Sequence, residues 1–277
     1  MAAPNLTSTP SRVSERFSSS SATTITFVSS DNMRFNIERA RLDRAADFVP
    51  PQDLQSSPTE LVPLTEDAGT LDLLFRFVYC ERHVSLEGMS FERIAALAEA
   101  AEKYLVYSAM AICHIYMKAQ YKAHPLEFMQ YAIRHYPELV DTVAPYTVGN
   151  ELVIMKDILP GGYVVPWVLF NTAYYEIAQH TTRWINKHLG HYGPIQCHNR
   201  PCALGEGEDE AWGWLERELA HALLTTGGRG LLDLDKVFTD EMMHSLERCE
   251  GCQQTLRLWK KELERVVGEV PKFTSFL

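Results

Sequence analysis

The sequence predicts an α+β fold, with a small sheet and helical hairpins in the first half and a mostly α-helical region after it. Three observations carry this. Residues 33–38 alternate, with Met33, Phe35 and Ile37 apolar and Arg34, Asn36 and Glu38 polar, which is the period of a half-buried strand. Residues 71–118 carry three apolar stripes at helical spacing: Leu71, Leu74, Phe75, Val78; then Ile94, Leu97, Ala98, Ala101, Leu105; then Ala109, Ile112, Cys113, Tyr116, Met117. Beyond residue 166 the apolar pattern is helical, apart from an irregular stretch from Pro194 to Gly207.

Each element has its own justification along the chain. Met1 to Ala22 is rich in Ser, Thr and Pro and is expected to be a solvated, disordered tail. Residues 23–29 are β-branched and aromatic, and Ser30, Asp31 and Asn32 supply turn chemistry, so 23–38 reads as a hairpin. Ala40 to Phe48 is a short helix, and Leu61 to Leu64 a third strand whose Pro63 suits a sheet edge. Thr70 and Ser90 are placed to cap the next two helices. Tyr104 to Ser108 breaks the pattern and separates two antiparallel helices. Pro125 and Pro137 each open a further helix. Residues 149–165 read as a connection. Pro166 then opens a long helix that Gly190 closes, with Trp167, Phe170, Tyr174, Ile177, Thr181 and Trp184 on one face. Helices are expected at about 209–224, 233–248 and 253–267, the last striped by Leu256, Trp259, Leu263 and Val266. The domains implied are a tail at 1–22, a mixed domain at 23–148 and a helical region at 149–277.

Composition bounds the function. The net charge is −10, and Lys plus Arg against Asp plus Glu is 13 to 18 in each half, so no basic arm is concealed. Nucleic acid and anionic membranes are therefore poor partners, because phosphates need compensating cations. No apolar run approaches the length of a membrane span. Six unevenly spaced cysteines do not form a secreted disulfide framework, which makes the cytoplasm or nucleus the expected location.

The chemistry-bearing motifs are few. Cys249 and Cys252 form a Cys-x-x-Cys, and Cys197 and Cys202 a Cys-x4-Cys, with 46 residues between the pairs. Two close thiolate pairs are what a tetrahedral zinc site needs, and His198 is an alternative ligand; the competing reading is four reduced thiols at loops and helix ends. His188 and His191 read as helix-end residues that complement the dipole. Gly227, Gly228 and Gly230 around Arg229 read as a flexible loop rather than a phosphate cradle, because no strand precedes them. Asp209, Glu210, Glu216 and Glu218 read as a solvated helix face, and the Trp167 to Trp184 stripe as core. No HExxH, GxSxG, GxxxxGK or GxGxxG occurs, so the chain is expected to be non-enzymatic.

The order strand, strand, short helix, strand, helix, helical hairpin resembles a BTB/POZ domain. Val62-Pro-Leu-Thr-Glu66, Leu71 to Tyr79, Ala95 to Tyr104 and Val106 to Met110, with Cys113 and Tyr116-Met117, look like the BTB proteins abundant in mushroom-forming fungi. Cys249 to Cys252, Trp259 and Pro271 to Leu277 are similar to C-termini in that group. The likeness is strong over 23–145 and loose beyond. It implies a protein–protein interaction module, an adaptor or scaffold that self-associates as a homodimer or recruits a cullin-type ubiquitin ligase. The alternative is a helical regulatory protein stabilised by cysteine-bound zinc.

Overall fold

The computed structural model describes residues 12–45, 61–81, 84–191, 202–205 and 208–277, with backbone alone over 182–191 and 208–209. It divides into two compact units, Met1–His124 and Pro125–Leu277.

The N-terminal unit is built on a four-stranded sheet of order β1-β3-β2-β4. Its strands are β1 (Arg12–Val13), β2 (Thr24–Val28), β3 (Met33–Glu38) and β4 (Leu61–Pro63). β2 and β3 pair antiparallel, with Phe27 opposite Phe35, and their turn places Asn32 at φ 62°, a left-handed conformation that Asn tolerates. β1 runs parallel to β3 on one edge, and β4 runs parallel to β2 on the other. The helices are α1 (Arg39–Ala45), α2 (Ala68–Val78), α3 (Phe91–Tyr104) and α4 (Tyr107–Gln120). Phe27, Phe35, Ile37, Leu71, Leu74 and Leu97 are almost fully buried.

Residues from Arg12 belong to this fold, which corrects the expectation that the whole stretch to 22 is a solvated tail. Arg12 and Val13 pair with Met33 and Arg34, and the Asn36 N–H donates to the Phe17 carbonyl at 2.9 Å. The cause is a single residue in a polar segment. Phe17 is 4% exposed, with its ring centroid 5.8 Å from Phe75 and 6.1 Å from Phe35. Arg16 also pairs with Glu81 at 2.8 Å, but its side chain is half exposed. Such a pair contributes about 0–1 kcal/mol, whereas a buried Phe contributes about 3 kcal/mol or more. Phe17 is therefore the anchor.

Local chemistry explains other departures. α2 is capped by Asp67, not Thr70: the Asp67 carboxylate accepts from the Thr70 N–H at 2.9 Å. Ser90 does stand at the N-cap of α3, without a side-chain capping hydrogen bond. Leu105 is not part of the α3 stripe. It adopts φ 53° to end that helix and is 39% exposed. Ile112 is likewise turned out of the α4 stripe, which Ala109, Cys113 and Met117 supply.

A polar clasp joins the entry to α2 with the end of α3. Glu66 accepts from Lys103 at 2.8 Å and from the Tyr104 hydroxyl at 2.5 Å. Burial pushes the Glu66 carboxyl up, but hydrogen bonds from Lys103, Tyr104 and Thr65 outweigh it and hold the group below its usual value. Burial and the Glu66 contact push the Tyr104 hydroxyl up to about 12.

The C-terminal unit is helical: α5 (Pro125–His135), α6 (Val140–Val143), α7 (Leu152–Ile158), α8 (Gly161–His191), α9 (Glu208–Thr226), α10 (Leu234–Val237), α11 (Asp240–Ser245) and α12 (Glu250–Gly268). The division between units falls at 124/125 rather than 148/149, because residues 125–148 pack with the later helices and the C-terminal turn. The Trp167 indole donates to Thr147 at 2.9 Å, and Asp141 accepts from the Thr274 N–H at 2.9 Å.

α8 begins at Gly161, with Pro166 inside it. The lost hydrogen bond is offset by burial of Trp167, Phe170 and Tyr174, which form core as expected. The expected connection at 149–165 thus holds α7 and the first turn of α8. The expected helix at 233–248 is broken between Val237 and Asp240, where Thr239 accepts from the Met242 N–H and starts α11. Residues 227–232 form a 3-10 turn rather than a flexible loop. Gly228 is buried there, and a Cβ on it would stand 2.9 Å from both Tyr174 Cβ and Val148 Cγ1. Glu216 is 1% exposed on α9 beside Trp212, Leu215 and Leu219, so it is not part of a solvated face.

Two outcomes test the roles of Phe17 and Glu66. Phe17→Ala is expected to cost about 3 kcal/mol, read as a lower urea midpoint for the N-terminal unit, whereas Arg16→Ala should barely move it. Glu66 has a lowered folded value, so its stabilisation is present above about pH 4.5 and is lost as pH falls through that lowered value. Glu66→Gln should therefore flatten the acid limb of the stability profile below pH 4.5.

Candidate metal centre

Three of the four cysteines singled out from the sequence come together in the C-terminal unit. Cys249 occupies the N-cap of α12, and Cys252 lies in its first turn. The Cys-x-x-Cys spacing at a helix start sets both side chains toward the same space, as N-cap and N3 groups do in a capping box. Both are buried, at 3% and 0% exposure. Cys202 arrives from a turn 47 positions earlier and is half-buried. That turn is tight: the Gly205 N–H donates to the Cys202 carbonyl at 3.1 Å, with Gly205 at φ +60°. The Leu204 N–H points at the Cys202 sulfur, 3.5 Å away.

Cys202 Sγ lies 3.6 Å from Cys249 Sγ and 3.6 Å from Cys252 Sγ, and all three sulfurs fall within 4.8 Å of one another. A disulfide needs about 2.05 Å, and none of the three is disulfide-bonded. Tetrahedral thiolates at about 2.3 Å from a metal stand about 3.8 Å apart. The two separations from Cys202 are close to the second arrangement. The three residues therefore form a group able to hold a metal ion. Negative charge there is favoured by the N-terminal N–H groups and dipole of α12.

Cys197 and the alternative ligand His198 lie outside the described residues. The side chains of His188, His191 and Trp184 do too. Cys113 is far from thiolate chemistry, since burial pushes its thiol up to about 12. Cys80 is exposed. Among the described residues no other group of three metal-ligating side chains converges. No helix among them is long and apolar enough to cross a membrane.

The sequence signals the Cys-x-x-Cys directly, and the cluster depends on the fold bringing Cys202 to it. What sequence reading misses is a cleft beside α12, lined in part by Ile177, Leu219 and Leu223. Its signal is partial, because α12 is striped over a longer apolar face than its neighbours fully bury. Comparison of the chain with protein-family models, curated proteins and solved structures finds no match.

Protein purified under reducing conditions is expected to carry about one thiophilic metal ion per chain, measured by elemental analysis. Cys249→Ser and Cys252→Ser should each lower that content by about tenfold, and Cys80→Ser should leave it unchanged.

Proposed function

We propose that the chain is a non-enzymatic adaptor of the BTB/POZ type, whose N-terminal unit binds other proteins and whose C-terminal helical unit is held by a structural zinc ion. The observation that carries the adaptor reading is a pair of exposed isoleucines on α4, Ile112 at 36% and Ile115 at 62%. Scattered apolar residues are ordinary on a surface, but two placed three apart share one helix face and offer a docking point. The hairpin, the parallel third strand and the helices behind them also support the reading, because that order is the one the resemblance implies. Homodimerisation and recruitment of a cullin-type ligase are the two engagements proposed for this unit.

The zinc assignment rests on donor chemistry. Three converging cysteine sulfurs suit a soft-tolerant, redox-inert ion, and a fourth protein ligand would close the set and make the site structural rather than catalytic. Cys197 is proposed as the fourth ligand, with His198 as the alternative. Metal content of Cys197→Ser against His198→Ala separates them.

Proximity labelling in the native cell, paired with analytical ultracentrifugation, tests the adaptor. The expected result is a defined partner set, including cullin-ligase subunits or a second copy, that is lost in the Ile112→Glu/Ile115→Glu variant. A monomer with the same neighbours before and after that substitution would overturn the proposal.

A further inference from the structure

The C-terminal unit contains a cleft of about 930 Å3 between α8, α9 and α12. This falls within the range of about 300–1,000 Å3 typical of small-molecule sites. Its floor is apolar: Leu219, Leu223 and Leu263 are buried, and Ile177, Trp259 and Val266 are half-buried. Ile177 and Val266 are the informative ones, since they line the cleft and remain part-exposed.

The charged residues described along the rim are all acidic: Glu176 on α8, Glu262 on α12 and Glu269 just past its end. Glu262 and Glu269 share the single guanidinium of Arg265, and Glu176 makes no ion pair among the described residues. Among the described residues no Lys or Arg lines the cleft; Gln179, His180 and Thr181 complete its polar edge. Three carboxylates against one guanidinium repel a fatty acid or a phosphate ester and attract a cation. Trp259 adds apolar wall for a hydrocarbon chain.

We propose that this cleft binds a small organic cation with a hydrocarbon body, its chain against Trp259, Ile177 and Val266 and its ammonium group at Glu176. The assignment does not rest on the adaptor reading, because cleft and rim belong to the C-terminal unit alone. It is linked to the metal centre through α12. The helix that offers Cys249 and Cys252 at its start presents Trp259, Leu263 and Val266 further along.

The test uses the full chain and three probes of equal chain length: decyltrimethylammonium, decanoate and decyl maltoside, each below its micelle concentration. Binding is followed by tryptophan fluorescence and calorimetry. The expected result is saturable one-site binding of the ammonium probe, about tenfold tighter than decanoate. Glu176→Lys should erase that preference, and Ile177→Arg should abolish binding of all three. The head-group series on the unaltered protein needs no variant to fold, and Glu176 is exposed, so its replacement leaves the core intact. No saturation below the micelle concentration, or equal affinity for the three probes, overturns the proposal.

Discussion

One stripe of α12 links the two candidate sites of the C-terminal unit. Cys252, Leu256 and Leu263 are buried in sequence along it, with Trp259 and Val266 half-buried between and beyond. That stripe meets the sulfur cluster at one end and the cleft at the other. Helical spacing sets the two features on one line, because residues three and four apart share a face. The Trp212–Trp259 ring contact, with centroids 5.7 Å apart, joins the middle of the stripe to α9.

The N-terminal unit depends on a different focus. Phe75 of α2 meets Phe17, Phe27 and Phe35, with centroids between 5.4 and 5.8 Å away. These rings come from the segment before the hairpin, from both hairpin strands and from the first long helix. Aromatic packing of this kind joins elements that local propensity alone leaves independent. It also accounts for the ordering of residues whose neighbours are mostly Ser and Thr.

Much of this architecture is legible in the amino-acid order. The hairpin, the edge strand with Pro63, α2, α3, α4 and α12 arise from periodicities strong enough to survive any tertiary arrangement. The illegible parts turn on single contacts. One Phe overrides the polar average of its segment. Asp67 replaces Thr70 as cap because it stands one residue ahead of the first helical turn. Pro166 reads as a start signal, although two Gly residues and Tyr163 have already begun the helix. Glu216 groups by charge with its neighbours, whereas its position on the helix sends it inward. In the sulfur cluster, Cys249 and Cys252 are legible as a pair from spacing. The approach of Cys202 depends on a turn with Gly205 at positive φ, which no short motif announces.

Gly228 carries a consequence for ancestry. Its backbone runs so close to α8 that even a methyl group would collide with Tyr174 and Val148. Substitution there demands movement of a packed helix. This steric bottleneck and the Cys-x-x-Cys at the head of α12 form a compact fingerprint by which kin of this chain are to be sought.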